Sequence, residues 1–234
     1  MMPPILTLSG LTKTFGNVYA LDSLDLTLDS GSIHGFVGPN GAGKTTMLSI
    51  VSGLKRKTSG DIKFSIPQNQ MMLMPDTPDF FPLLTAQEVV DLARWPFRKE
   101  VNVDAVSKIL EEVGLQDSAD RQVGGFSRGM KQRLGLATAL IGKPQLILLD
   151  EPCSALDPIG RREVLNTISQ MRGKSTVLFS THILSDVEDV CDSVTVVNEG
   201  KALYGGSVSG IRKSAGQSFE DAVLELLLSK GNVE

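Results

Sequence analysis

The sequence predicts an α/β fold with a β-rich N-terminal part and a helical insert. Three observations carry that prediction. A glycine-rich run, GPNGAGKTT (Gly38–Thr46), stands between a strand pattern and a helix pattern. A continuous apolar run, LILL (Leu146–Leu149), has the composition of a parallel strand buried on both faces. Between the two, residues 77–142 read mostly as helix.

Residues 5–30 read as β. Leu24, Leu26 and Leu28 alternate with polar neighbours, the period of a half-buried strand. FGN (15–17) makes a turn between the first two strands, and SIHGFVG (32–38) is a third strand that holds His34 as a structural residue. A helix covers about Lys44 to Leu54, closed by KRKTSG, and short strands follow at about Asp61–Ile66 and Met71–Met74. From Pro75 the pattern turns helical. Thr85 with Glu88 three residues on is a capping box. Val106, Ile109, Leu110 and Val113 share one helical face, which Gly114 ends.

After Pro144 the β/α alternation resumes. Asp157-Pro158 starts a helix, TVLFS (176–180) is a strand, Ser185 with Glu188 caps another helix, and SVTVV-NEG-KALY closes as a hairpin. Phe219, Ala222, Val223, Leu226 and Leu227 line one face of a tail helix. The expected organisation is one domain, 1–234: a core with a β-subdomain (1–76 and 143–204), a helical subdomain (77–142) and a tail (205–234).

A net charge of −4 speaks against a nucleic-acid surface, which needs a basic excess. A membrane-spanning helix needs roughly 20 apolar residues, and the most apolar stretch, 134–149, is broken by Gly142, Lys143, Pro144 and Gln145. Met1–Gly10 lacks the features of a targeting peptide. Two distant cysteines suggest no disulfide framework and a reducing cytoplasm, and two histidines exclude a histidine metal cluster.

The chemistry starts at Gly38–Thr46. G-x-x-x-x-G-K-[ST] between strand and helix lets successive backbone N–H groups curl around a polyphosphate. The stretch comprises Gly38, Pro39, Asn40, Gly41, Ala42, Gly43, Lys44, Thr45 and Thr46. Lys44 can reach the β- and γ-phosphates, and the Thr45 hydroxyl can ligate Mg²⁺. LILLDE then ends in two carboxylates. Asp150 at a strand tip can hold Mg²⁺ through water, and Glu151, pointing the other way, can polarise an attacking water.

With FSRGM (126–130) between these motifs, SALD (154–157) after them and STH (180–182) further on, nearly the whole chain resembles the ATPase subunits of ABC transporters. The resemblance implies a P-loop NTPase of ABC-ATPase architecture, with a RecA-like core, an N-terminal antiparallel β-subdomain and a helical insert. It makes Gly38–Thr46 the Walker A loop, Asp150 the Walker B aspartate, Glu151 the general base and His182 the residue that senses the γ-phosphate. It makes Phe15 the aromatic that stacks on adenine. It further implies a head-to-tail pair, in which the partner's Ser127, Arg128 and Gly129 close each ATP site, with a homodimer as the simpler form. A separate transmembrane permease subunit would contact the helical insert and the loop at Asp76, at the cytoplasmic face of the cell membrane. No nucleic acid is expected.

Several residues depart from the family pattern. The signature turn is usually Leu-Ser-Gly-Gly-Gln; here Phe126, Arg128 and Met130 differ. A cation at a helix N-terminus costs roughly 0.3–1 kcal/mol unless an anion arrives. Arg128 therefore either answers a γ-phosphate from the opposite subunit or turns into solvent. Asp76 stands where glutamine is usual and could contact Mg²⁺, and the segment before it is short, which implies a trimmed β-subdomain. Cys153, where threonine is common, reads as a packing residue. Phe80, Phe81, Trp95 and Phe97 are expected to line a groove for a permease helix. A basic residue in the signature turn and the short tail resemble exporter-type subunits. The alternative is a soluble ABC ATPase that acts as an assembly or scaffold factor.

Overall fold

Residues 3–212, 214 and 216–229 are described by a computed structural model. In chain order the elements are β1 (Leu6–Phe15), β2 (Val18–Leu28), β3 (Ile33–Val37), α1 (Lys44–Val51), β4 (Ser59–Phe64) and β5 (Met71–Met74). The helical part holds α2 (Ala86–Arg94), α3 (Asp104–Glu112) and α4 (Arg128–Leu140). Then come β6 (Leu146–Asp150), α5 (Pro158–Ser169), β7 (Thr176–Thr181), α6 (Leu184–Val190), β8 (Ser193–Asn198), β9 (Lys201–Ser207) and α7 (Phe219–Ser229). The last five residues of the expected tail, 230–234, lie outside the described residues.

A three-stranded antiparallel sheet, β2-β1-β4, packs over a six-stranded sheet ordered β5-β6-β7-β3-β8-β9. The larger sheet is parallel except at β9, which returns antiparallel to β8. Alternation along its strands divides the core. Leu146, Leu148, Phe36 and Leu178 face the leucines of β1 and β2 and Met47, Leu48 and Val51 of α1. Ile147, Leu149, Val37 and Phe179 face the helical side, with Val90, Leu110, Leu134, Val187 and Phe219. Each such side chain, fully withdrawn from water, contributes about 1.5–3 kcal/mol.

Local signals set several helix ends. Thr85 Oγ1 accepts from Glu88 N at 3.2 Å while Glu88 Oε2 accepts from Thr85 N at 2.8 Å, the reciprocal pattern of a capping box. Asp157 Oδ1 accepts from Gly160 N at 2.7 Å at the start of α5. The helix expected to reach Leu54 stops at Val51, because Gly53 turns left-handed (φ +83) and its N–H closes back on Ile50.

Ser185 is a correction: it does not cap α6. That helix starts at Leu184 behind an extended Ile183, so Ser185 already lies within the first turn. Its hydroxyl instead accepts from Arg161 Nη2 at 2.8 Å, beside the Arg161–Asp186 ion pair.

The aromatic residues of the insert divide. Phe97 is packed on the core, and a Cβ at Gly142 would fall 2.6 Å from its ring. Phe80 is also partly buried against the core, whereas Phe81 and Trp95 are exposed. His34 is buried, with Nδ1 2.7 Å from Ser193 Oγ and Nε2 2.9 Å from Thr195 Oγ1. Burial lowers its pKa to about 4.

Candidate functional site

Strand register assembles the site. Val37 lies opposite Thr181, and Asp150 opposite Ser180, so Gly38, Glu151 and His182 leave the carboxyl ends of three adjacent parallel strands. Ligands of open parallel sheets bind at such ends.

The loop from β3 to α1 needs its glycines. Gly43 has φ +103, and a Cβ there would meet Ala20 O at 2.3 Å; one at Gly38 would meet Val197 O at 2.3 Å. The loop therefore lies flush against β2 and β8. α1 follows with no side-chain cap and no acidic residue in its first turn. Its first N–H groups and the positive end of its dipole stay available to an anion. Lys44 folds back over the loop, donating to Gly38 O at 2.7 Å and to Pro39 O at 3.2 Å.

A cleft of about 390 Å³ opens here, bordered by Asn40, Gly41, Gly43, Lys44, Thr45 and Thr46 of the loop and by Ala20 of β2. Asp76, Glu151, Ser154 and His182 face them, and Arg128 completes the wall. Glu151 is the most constrained of these, with a left-handed backbone, φ +49. Its N–H donates to Ser180 O at 3.2 Å and to Ser180 Oγ at 3.1 Å, and its carbonyl accepts from Gln132 Nε2 at 2.9 Å. Its carboxylate lies between Lys44 Nζ, 3.3 Å from Oε1, and His182 Nδ1, 2.9 Å from Oε2.

Asp150 is buried and not on the cleft wall; it accepts from Ser180 Oγ at 2.5 Å. Asp76 accepts from Ser154 Oγ at 3.0 Å and stands 3.9 Å from Arg128 Nη2. Arg128 thus lies beside a carboxylate of its own chain, an arrangement that neither sequence reading of it contained.

Ser127 and Gly129 are elsewhere. They border a second depression of about 630 Å³ with Arg121, Arg133 and Asp157, and Arg128 borders both. Ser127 caps α4, its Oγ accepting from Met130 N at 3.2 Å. Phe15 is half-exposed, with Lys13 Nζ 4.8 Å and Lys55 Nζ 5.7 Å from its ring centre. It pairs with Val18, two residues before Ala20 of the cleft wall. Ala42 is buried behind the loop. Cys153 is buried, and desolvation, helped by Asp186, pushes its pKa up to about 12.

Sequence reasoning passed over Gln132 and Ser180. For Gln132 a signal exists: it falls in step with Leu136 and Leu140 on the buried stripe of α4, where a polar residue is out of place.

The donor set suits a small hard cation. Thr45, Asp76 and Asp150 offer only oxygen. No group of three or more His, Cys, Asp and Glu side chains among the described residues could hold a metal ion, so an ion here would take phosphate and water oxygens as well.

Comparison with known proteins agrees with this geometry. The family model described as "ABC transporter" matches residues 21–154. The chain is 37% identical over 215 residues to the ABC transporter ATP-binding protein YxlF of Bacillus subtilis, covering 89% of this chain and 73% of that one. It is 38% identical over 215 residues to the bacitracin transport ATP-binding protein BcrA of Bacillus licheniformis, covering 86% and 69%. Among solved structures, an ATP-binding subunit of an ABC transporter superposes with a TM-score of 0.86 at 26% identity, covering 95% of this chain and 99% of that one.

Proposed function

The chain belongs to the ABC transporter family as an ATP-binding subunit, an ATPase coupled to transport, and from that premise we propose that it drives an exporter as a head-to-tail pair beneath separate permease subunits. The observation that carries the catalytic part is the placement of Glu151 between Lys44 and His182 at the strand tips.

In this reading the loop N–H groups and Lys44 bind the phosphates of ATP, and Phe15 stacks on the base. Glu151 orients water for in-line attack on the γ-phosphate and takes up its proton. His182 steadies one carboxylate oxygen through Nδ1 and keeps Nε2 for the γ-phosphate. Thr45 and Asp76, with Asp150 acting through water, would hold Mg²⁺, which would supply positive charge against the phosphates. Ser127, Arg128 and Gly129 of one subunit close the site of the other; the separation of the two depressions within one chain supports such sharing.

Export is supported by the basic signature turn and by the similarity to a bacitracin transport ATP-binding protein. No helix among the described residues is long and apolar enough to cross a membrane. The permease is assigned to the helical insert, where Phe81, Leu83 and Trp95 are exposed, and to the loop at Asp76.

Glu151→Gln tests the reading. It keeps the shape of the site and removes the base, so ATP should still bind, turnover should stop and dimers should accumulate on size-exclusion chromatography with ATP. Hydrolysis at the wild-type rate would overturn the assignment.

A further inference from the structure

Gln132 lies just over one turn into α4, on the face it shares with Gly135, Leu136, Ala139 and Leu140, all buried. It is 1% exposed. Its Nε2 donates to the main-chain carbonyl of Glu151 at 2.9 Å. A carbonyl can accept only from the NH₂ end of an amide, so this bond fixes which way the amide points. Oε1 is then left buried without a hydrogen-bond partner among the described residues.

Packing does not account for this residue. A methionine of similar length would fill the same space and leave no buried acceptor unsatisfied. What the amide grips is unusual: the peptide of a non-glycine residue in the left-handed region, a conformation that persists only where neighbours hold it. Three ties do so. The Glu151 N–H is bound to Ser180 in β7, and the carbonyl accepts from Ser154 N at 3.1 Å within its own turn and from Gln132 in α4. The first belongs to the rigid sheet and the second to the turn itself. The third belongs to the helix that Ser127 caps.

We propose that Gln132 is a positioning residue for hydrolysis. It clamps the Glu151 main chain so that the carboxylate aims at the attacking water only while α4 is docked, and it thereby transmits engagement of the Ser127 turn to the base. A helix moves as a unit, so a displacement at its N-terminus reaches Glu151 through this amide. The proposal rests on the reading of Glu151 as the base.

Two variants of the full chain test it. Gln132→Met should melt at or above the wild-type temperature and bind ATP within about twofold of wild type, yet lose roughly 10- to 100-fold in kcat, the effect of a misplaced catalytic group. Gln132→Glu can donate to the carbonyl only when protonated. Its kcat relative to wild type should therefore recover as pH is lowered from 8 to 6, while that of Gln132→Met stays flat. Wild-type kcat in Gln132→Met overturns the clamp. So does a joint loss of melting temperature and ATP binding with kcat per bound nucleotide unchanged, which makes Gln132 structural. A pH-independent Gln132→Glu, or failure of both variants to fold, also overturns it. Glu151→Gln assayed in parallel separates the two claims: turnover there removes the base assignment itself, whereas an inactive Glu151→Gln with a normal Gln132→Met removes the clamp alone.

Discussion

Lys44 Nζ stands 3.3 Å from Glu151 Oε1, with the two side chains 6% and 12% exposed. Any phosphate that reaches Lys44 must share the ammonium with that carboxylate. Removing the cation takes away the phosphate contact and leaves the Glu151 carboxylate paired with His182. Lys44→Met should weaken ATP binding roughly 100-fold, about 3 kcal/mol, as read by isothermal titration calorimetry. Affinity within threefold of wild type would mean that the loop N–H groups suffice.

His34 gives the fold an acid sensitivity of known sign. Its pKa is about 4 in the folded chain against an ordinary value of 6.5. Between those values the unfolded chain takes up a proton that the folded chain refuses. Stability is therefore full above pH 6.5, falls by about 1.4 kcal/mol per pH unit below it, and levels off near pH 4 after a loss of about 3 kcal/mol. His34→Gln, which can still bond Ser193 and Thr195, should remove this component. Urea unfolding of both proteins at pH 7.5, 5.5 and 4.5 gives the comparison; parallel curves would contradict the assignment.

Trp95 and Phe97 are two residues apart and should behave oppositely. Trp95 is exposed, with the Arg98 guanidinium 4.6 Å from its ring centre; Phe97 fills the space over Gly142. Trp95→Glu should leave the melting temperature within about 2 °C of wild type and abolish recovery with solubilised membranes. Gly142→Ala should cost about 1–3 kcal/mol by overpacking against the ring, and Phe97→Leu should restore part of that loss. Additive effects in the double variant would break the link.

Arg128 and Asp76 are 62% and 41% exposed and 3.9 Å apart, so their mutual stabilisation should not exceed about 1 kcal/mol and should fade with salt. A weak hold leaves Arg128 free to exchange Asp76 for a phosphate. Arg128→Gly should weaken ATP-dependent pairing several-fold at low salt, and Asp76→Asn should strengthen it. Analytical ultracentrifugation at 50 and 500 mM salt tests both; effects of the same sign would argue against exchange.

Much of the site was legible because its determinants are local. The spacing Gly38–Thr46 sets a loop, the Asp150-Glu151 pair ends a strand, and Thr85 with Glu88 marks a helix start. The rest depends on which distant segments meet. Ser180 touches Glu151 only because β6 pairs with β7, and Gln132 matters only because α4 crosses that strand end. Phe97 could not be assigned to the core without knowing that Gly142 lies beneath it. Ser185 and Glu188 have the letters of a capping box, but the helix begins two residues too early for that role.

Burial holds both cysteines of the chain, Cys153 and Cys191, in the thiol form. With a pKa of about 12, the Cys153 thiol ionises in roughly one molecule in 10⁵ at pH 7, and burial raises Cys191 as well. Brief treatment with a maleimide at neutral pH will therefore pass over the native sulfurs. A cysteine introduced on an exposed position such as Val103 or Ile159 can carry a spin label or dye in an otherwise unaltered chain, which opens the movements of the helical insert and of α5 to distance measurement.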